Sequence, residues 1–530
     1  MSKLNHVIIE KNKKFSESYL WEMQRRYFDK EGVDAWVNDV PFYATSNPFL
    51  AGCYASMSMR LMQDWVKKHP EAKQHPFYII ELGTGSGILS FHTLNRMMRI
   101  IQRLRLEDIK ICYVMTDYAG SNLKYWETHP GLQKYIDSKM LDFALFDMEK
   151  DTTVTLKNAG TVLTPGSVAN PIIVFANYIF DTVSQDAFAI TDSQLYASLV
   201  TLSTDRSNIV NGKPVSMEEI KIEYENGDLH ENYYEDPTIN ATLLSYRDAG
   251  IRRSHFLFPT AGLIALSNLK KLSNDKLFLL STDKAYSYIQ ELENLGTPDI
   301  AFHGSFSTMV NFHAIAKYFE LAGGKSVLQT QRAEVNTAAF YVGIDLDELP
   351  EFANAVYEHV ERLSPGDYFA LHRNIRENFK HCPINSLAAH MAFADWDPHI
   401  FGKISKQIIS LLPDAEHETK IYLANHMPEL ASNYYYMPKI YDVWFDIGIV
   451  FHTLRRYSEA VYYYQQSIHF YGEQFNSVYN LAICFYNAGE VKQAQAQFKR
   501  ALQLNEDSKE TKEWIEFIKK EEDSKNNPLF

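Results

Sequence analysis

The sequence has few cysteines and no long apolar segment. Its four cysteines are scattered among 530 residues, at spacings that match neither a zinc site nor a redox motif. We therefore expect reduced thiols and no metal centre. No apolar run approaches the roughly 20 residues that a transmembrane helix needs, and the first residues contain no apolar segment typical of a signal peptide. These absences predict a cytoplasmic protein without a membrane span.

The sequence also lacks an excess of positive charge. Its 52 Lys and Arg against 66 Asp and Glu give a net charge of −14, which disfavours general binding to nucleic acids or anionic membranes. The 18 histidines form no His-Glu-x-x-His motif and no other metal-ligand pattern. With 46% hydrophobic and 22% charged residues, the composition is that of a globular protein.

Short apolar runs alternate with helical patterns between residues 76 and 346. Such runs are typical of strands that are buried on both faces. The predicted strands cover residues 77–80, 111–115, 141–146, 172–175, 276–280, 300–306 and 326–330. Their alternation with helices predicts an α/β fold, with a mainly parallel sheet of seven strands that ends in an antiparallel pair.

Other regions flank or interrupt this pattern. Residues 1–75 read as a helical element with a central loop. Alternating polar and apolar residues with an Asn-Gly turn predict a β insertion over about 187–235. Residues 347–384 predict a helical connector, and residues 385–522 a helical repeat domain.

Two helical units repeat near the C-terminus with an offset of 34 residues. The first has Trp444, Ile447, Gly448, Phe451, Ala460 and Tyr464, and the second has Val478, Leu481, Ala482, Phe485, Ala494 and Phe498. This spacing resembles that of the tetratricopeptide repeat. Because stacked helix pairs form concave binding surfaces, the resemblance implies a protein partner or protein substrate at this domain.

A glycine-rich turn follows the first predicted strand. Its residues are Glu81, Leu82, Gly83, Thr84, Gly85, Ser86 and Gly87. Glycines allow φ > 0 and let the backbone approach a ligand closely. A dinucleotide motif would place its third glycine at Ile88, and the phosphate-binding G-x-x-x-x-G-K-[ST] pattern is absent. A carboxylate two residues before the first glycine suits a ligand with an ammonium group.

This turn resembles the first motif, E/D-x-G-x-G-x-G, of the class I S-adenosylmethionine-dependent methyltransferases. The resemblance implies a Rossmann-like seven-stranded sheet that binds S-adenosyl-L-methionine. The implied cofactor residues in the turn are Glu81, Gly83, Thr84, Gly85 and Gly87.

Two further strand ends carry candidate cofactor residues. Asp117 ends the second strand, 30 residues after Gly87, where a carboxylate can accept from both ribose hydroxyls; Tyr118 follows it. Asp147 comes after the third strand, where the family often places a side chain near the adenine amino group. Either aspartate could instead be the N-cap of a helix.

The segment after the fourth strand narrows the resemblance. Residues 176–181, A-N-Y-I-F-D, resemble the A-N-E-x-x-D segment of the MidA-like methyltransferases, a family that includes the complex I assembly factor that methylates a protein arginine. Residues 42–46 and 279–283 resemble looser segments of that family. Tyr178 stands where the family has Glu, and Lys284 where it has Tyr. The missing carboxylate removes one group that would orient a guanidinium.

The resemblance implies a catalytic set at this strand end, formed by Asn177, Tyr178 and Asp181. Asp181 would orient the substrate or accept its proton, and Tyr178 would form a pocket wall; Asp181 could instead cap a helix. The sequence thus predicts a methyltransferase, with a protein as the favoured acceptor. Two alternatives stay open: an inactive cofactor-binding scaffold that works through its repeats, and a small-molecule methyltransferase.

Overall fold

A computed structural model describes residues 6–35, 43–209, 215–329, 335–437 and 441–526. The chain divides into two compact units, Met1–Leu371 and His372–Phe530. The first contains β-sheets and helices, whereas the described residues of the second are helical. The prediction of an α/β region followed by a helical region is confirmed. No helix in the described ranges is long and apolar enough to cross a membrane.

The first unit is built on a seven-stranded sheet. Its strands are β1 (Phe77–Glu81), β2 (Ile111–Asp117), β3 (Leu141–Leu145), β4 (Ile172–Phe175), β5 (Leu277–Asp283), β6 (Lys325–Leu328) and β7 (Asn336–Val342). They lie in the order β6-β7-β5-β4-β1-β2-β3. Strands β1 to β5 are parallel, and β7 runs antiparallel to both β5 and β6. The central strands read as apolar runs because the sheet buries both of their faces.

One predicted strand of this sheet is wrong. Residues 300–306 do not join it, because Ala301–His303 and Ser305–Ser307 pair with each other around Gly304, whose φ is +80°. The missing strand is β7, which is buried along its whole length between β5 and β6. Residue 330, at the end of the predicted strand 326–330, lies outside the described residues.

A second, antiparallel sheet has five strands. These are His6–Lys14, Asp186–Thr191, Gln194–Asp205, Ile220–Gly227 and Ser254–Phe258. The expected helical character of residues 1–75 is wrong for His6–Lys14, which pairs with Gln194–Asp205. Burial does not alternate along residues 6–14, and Ile8 and Ile9 are exposed. Val7, Ile8 and Ile9 favour a strand locally, and pairing with the distant strand extends it to Lys14.

Short pairs complete the β-structure of the first unit. They are Val154–Thr155 with Val162–Leu163, and Ala285–Tyr286 with Val310–Asn311.

Helices of the first unit flank the sheets. They are Tyr19–Glu31, Tyr43–Ser46, Pro48–Lys68, Ile88–Leu104, Gly120–Thr128, Pro130–Asp137, Pro237–Leu244, Thr260–Leu272, Phe312–Leu321, Pro350–Val356 and the π-helical Tyr357–Arg362. The first of these, Tyr19–Glu31, is α1. It begins after Ser18, whose side chain accepts the Leu20 N–H, and Asn47 caps Pro48–Lys68 in the same way.

The second unit is a series of helices. Helix Pro365–Asn378 begins before residue 372, where this unit starts, and ends within it. Its described helices are Ile384–Phe393, Pro398–Leu411, His417–Ser432, Val443–Thr453, Tyr457–Tyr471, Phe475–Asn487, Val491–Leu504 and Lys509–Asn526. The anchors of the 34-residue repeat are buried except Trp444, which is half-buried. A Cβ on Gly448 would lie 2.7 Å from Tyr464 Cε1, which explains the small residue there. Identity with the tetratricopeptide family stays a prediction.

Candidate functional site

A cleft opens at the carboxyl ends of β1 to β4. It encloses about 1310 Å³ of empty space, including the part open to solvent at its mouth. The predicted site residues that line it are Glu81, Gly83, Thr84, Asp117, Tyr118, Asp147, Asn177, Tyr178 and Asp181. Gly85 and Gly87 lie in the turn beside it. Ligands of open α/β sheets bind at this end of the strands.

The glycine turn requires glycine for two physical reasons. Gly83, Gly85 and Gly87 have φ values of +57°, +60° and +85°, in the left-handed region that other residues adopt only at a cost. A Cβ on Gly83 would also lie 2.4 Å from Ile179 Cδ1. The turn therefore packs closely against the segment that follows β4.

Hydrogen bonds fix this turn to the end of β2. The Thr84 N–H donates to Thr116 O (2.8 Å), and Thr84 Oγ1 accepts the Thr116 N–H (3.1 Å). Thr116 Oγ1 donates to Glu81 O (2.6 Å), and Trp126 Nε1 donates to Gly85 O (2.9 Å). The fold itself thus sets the conformation of the turn.

Glu81 is a buried carboxyl group at the base of the cleft. Its Oε2 accepts the hydroxyls of Ser90 and Tyr113, the latter at 2.7 Å. Burial raises the pKa of Glu81 to about 7, although these two hydrogen bonds act in the opposite direction. The side chain is therefore held in one orientation beside the turn.

Asp117 connects the turn to the end of β2. Its carboxylate accepts the N–H groups of Gly85 (3.2 Å) and Ala119 (3.0 Å) and the Asn122 amide (2.9 Å). Burial raises its pKa despite these bonds. The N-cap alternative is wrong, because Ala119 is the N-cap of helix Gly120–Thr128.

Asp147 is paired with a residue that sequence reasoning did not find. Arg25 Nη1 and Nη2 donate to Asp147 Oδ1 (3.3 Å) and Oδ2 (2.5 Å), and Nη1 also donates to Glu149 Oε2 (3.2 Å). Asp147 does not cap a helix either; its Oδ1 accepts the Glu149 N–H (3.1 Å) in a turn. No local pattern marks Arg25, because its two carboxylate partners lie more than 120 residues away.

The side-chain amide of Asn177 is hydrogen-bonded to three other residues of the fold. Its Oδ1 accepts the Tyr54 hydroxyl (2.7 Å) and the Thr282 N–H (3.0 Å), and its Nδ2 donates to Thr45 O (3.2 Å). These bonds join the end of β4 to β5 and to two helices. Asn177 thus shapes the cleft wall, a role that the sequence alone did not indicate for it.

Asp181 is the predicted residue whose polar atoms the fold leaves without partners. Its side chain is 0% exposed, and neither carboxylate oxygen has a hydrogen-bond partner among the described residues. Burial raises its pKa to about 7, against the opposing charge of Lys284. The helix-cap alternative is wrong, because a strand and not a helix follows it. An unpartnered buried carboxylate is uncommon in native folds, and a catalytic role is one explanation for it.

The surroundings of Asp181 are also unusual. Tyr178 has a φ of +48°, which is strained for a residue with a Cβ. Lys284 Nζ lies 5.9 Å from the centre of the Tyr178 ring. Asp283 is a second fully buried carboxylate, and burial together with Asp181 raises its pKa. Strain and buried charge thus concentrate at this end of the cleft.

Negative groups dominate the lining of the cleft. Its described lining includes the carboxyl groups Glu81, Asp117, Asp147, Glu149 and Asp181, against one cation, Arg25. This arrangement favours a ligand that carries positive charge. Within the described ranges, no three His, Cys, Asp or Glu side chains are arranged to hold a metal ion.

Comparisons with known proteins give partial matches to solved structures only. No family model and no curated protein matches the chain. One matching structure is an uncharacterized superfamily protein from Burkholderia thailandensis, with 12% identity, 62% of this chain and 94% of that chain covered, and a TM-score of 0.35.

Two further matches are to structures with a bound ligand. One is a superfamily member from Burkholderia thailandensis, inferred to be a methyl transferase and bound to S-adenosyl-homocysteine, with 11% identity, 62% and 94% coverage and a TM-score of 0.35. The other is a loganic acid methyltransferase with S-adenosyl-homocysteine, with 8% identity, 64% and 90% coverage and a TM-score of 0.26.

Proposed function

We propose that this protein is an S-adenosylmethionine-dependent methyltransferase. The observation that carries the proposal is one cleft lined by three features: the positive-φ glycine turn after β1, the Asp117 carboxylate after β2 and the unpartnered Asp181 carboxylate after β4. A mainly parallel sheet with one antiparallel strand supports the class I resemblance.

The residues of the cleft fit this cofactor. Gly83 lines the cleft and carries no side chain, so a ligand can lie against its backbone. A carboxylate offers about four acceptor positions, and the fold uses three at Asp117, which leaves capacity for a hydroxyl. Glu81 and the acidic lining suit an ammonium group. When bound, S-adenosylmethionine supplies a methyl group on a positively charged sulfur.

Asp181 has the properties of a proton acceptor for the methylated atom. An acceptor nitrogen or oxygen loses a proton as it gains a methyl group, and a buried carboxylate without hydrogen bonds can take that proton. A pKa of about 7 is close to the value at which a general base works best at neutral pH. Asn177 and the strained Tyr178 hold the surrounding wall in place.

We infer that the acceptor atom belongs to an uncharged group rather than to an arginine. Lys284 acts electrostatically on both Asp181 and Asp283, so its ammonium group offsets the negative charge that would hold a guanidinium there. Tyr178 supplies no carboxylate to orient one. A neutral amine, amide or hydroxyl needs no such carboxylate to hold it.

We propose a protein as the methyl acceptor. The 34-residue repeat of the second unit supports it, since repeat arrays commonly bind peptides or folded partners. Incubation with a methyl-labelled donor and cell extract separates the alternatives. Label in acid-precipitable protein supports a protein acceptor, label in small molecules supports the small-molecule enzyme, and binding without transfer supports the scaffold.

Calorimetric titration of the full chain with S-adenosylmethionine and S-adenosyl-homocysteine tests the cofactor. We expect binding by the wild type and by Asp137→Ala, an exposed control, and its loss in Asp117→Ala. Asp117→Asn keeps one acceptor oxygen and should bind weakly. This variant tests the same group if the alanine variant does not fold. Absence of binding by the wild type would overturn the proposal.

A further inference from the structure

Helix α1 forms one wall of the cleft. Trp21, Gln24, Arg25 and Phe28 line it, at the spacing of a single helix face. The Gln24 side chain holds the helix in place, because Nε2 donates to Phe306 O (2.8 Å) and Oε1 accepts the Phe306 N–H (2.7 Å). The Trp21 and Phe306 rings lie 4.9 Å apart. The helix is thus anchored on the hairpin beside the cleft.

Arg25 reaches from α1 to the ends of β2 and β3. Its guanidinium pairs with both oxygens of Asp147 and with Glu149. Its Cζ lies 4.3 Å from the centre of the Tyr118 ring, and the Tyr118 hydroxyl donates to Arg25 O (3.2 Å). A planar guanidinium can pair with carboxylates along its edge and stack through its face at the same time, which a lysine cannot do.

These contacts are partly shielded from water. The exposed fractions are 28% for the Arg25 side chain, 16% for Asp147 and 18% for Glu149. Burial raises the pKa of Asp147, but the Arg25 guanidinium outweighs this and holds that pKa below its ordinary value. The pair therefore stays ionised at neutral pH. A shielded bidentate pair constrains its partners more than an exposed one does.

We propose that Arg25 is a positioning residue for the nucleoside end of the cofactor site. It acts by fixing Tyr118, which directly follows Asp117, and Asp147, which follows β3. Through these contacts α1 closes that end of the cleft. The inference rests on the proposed function and gives the N-terminal helix a role in ligand binding.

The test compares three full-length variants in their binding of S-adenosyl-homocysteine. Arg25→Met removes the charge and the donors, and Arg25→Lys keeps the charge but not the planar fork. Arg26→Met is the matched control, because Arg26 is the next residue of α1, has a 64% exposed side chain and pairs with Glu22 on the helix surface. Calorimetry gives the dissociation constant, stopped-flow fluorescence gives the dissociation rate, and thermal unfolding without ligand reports on the fold.

We expect Arg25→Met to weaken binding about tenfold, mostly through faster dissociation. Arg25→Lys should be intermediate, and Arg26→Met should match the wild type. If Arg25→Met binds with the affinity and dissociation rate of the wild type, the inference is overturned. The same holds if this variant also melts at a lower temperature, because unchanged binding with lower stability indicates a purely structural role.

The remaining outcomes separate this inference from the proposed function. If Arg25→Met does not fold, Arg25→Lys decides: weaker binding at wild-type stability supports the inference, and wild-type binding overturns it. A wild-type protein that binds neither S-adenosylmethionine nor S-adenosyl-homocysteine would overturn both proposals. Binding by the wild type with no effect at Arg25 would overturn the inference alone.

Discussion

Replacing Asp181 by asparagine should stabilise the folded protein at neutral and alkaline pH. The carboxylate is 0% exposed, and neither of its oxygens has a hydrogen-bond partner in the part of the chain that the structure describes. Ionisation therefore removes its hydration without replacing it, which costs free energy. Asparagine has nearly the same shape and carries no charge.

The pKa of Asp181 sets the size and sign of this effect. Burial raises it from 3.8 to about 7, and each pH unit of difference is worth about 1.4 kcal/mol, so ionisation costs up to about 4 kcal/mol above pH 7. A buried asparagine amide has its own cost of about 1–3 kcal/mol. The expected net gain for Asp181→Asn is about 1–3 kcal/mol.

The gain should depend on pH in a defined direction. Because the pKa of Asp181 is higher in the folded than in the unfolded protein, the folded state binds more protons between about pH 4 and 7. The ionisation of Asp181 therefore lowers the stability of the wild type as pH rises from about 4 to 7. Near pH 4 only the cost of the buried amide remains, so the variant should be about 1–3 kcal/mol less stable than the wild type there. Its stability relative to the wild type should then rise with pH up to about pH 7.

Urea unfolding of both proteins at pH 5 and pH 8, followed by circular dichroism, measures this difference. Asp142→Asn is the matched control, because Asp142 is also buried but accepts the N–H groups of Phe143 (2.7 Å), Asn158 (2.8 Å) and Ala159 (2.9 Å). It should lower stability at both pH values. The reasoning is refuted if Asp181→Asn is no more stable than the wild type at pH 8, or if its gain is equal at both pH values.

Two further substitutions test the turn and the helical unit. Gly83→Ala should lower the free energy of unfolding by about 1–3 kcal/mol and weaken S-adenosyl-homocysteine binding, because its Cβ would meet Ile179. The control is Gly160→Ala, at a glycine with φ +66° and no atom within 4 Å of its Cβ. It should lower the free energy of unfolding by less and leave binding unchanged. Burial lowers the pKa of His390 to about 4, so the unfolded state binds more protons between about pH 4 and 6.5, and stability is lost as pH falls through that window. His390→Gln should therefore reduce the drop in melting temperature between pH 7 and pH 5, and an unchanged drop would contradict this.

Features that depend on neighbouring residues could be predicted. The first strand, Phe77–Glu81, begins and ends within a residue of the apolar run 77–80. The glycine turn follows from local steric rules, since Gly83, Gly85 and Gly87 all have φ > 0. Asp117 lies at a strand end, as expected from the apolar residues before it.

Features that depend on distant residues could not be predicted from the sequence. His6–Lys14 is a strand because Gln194–Asp205 pairs with it; of its own residues only Val7, Ile8 and Ile9 favour a strand. Residues 336–342 form a strand of the main sheet because β5 and β6 flank them on both sides. Arg25 enters the site across 122 residues of sequence.

The same division applies to the chemistry of the cleft. Residue types at the strand ends follow from the sequence, because the spacing of strands, turns and polar residues is a local property. Packing decides which of these side chains have hydrogen-bond partners. Arg25 pairs with Asp147, the Tyr54 hydroxyl donates to Asn177, and Asp181 has no hydrogen-bond partner within the described residues. Partners for hydrogen bonds and charges come from distant segments, so the fold sets the availability of each group.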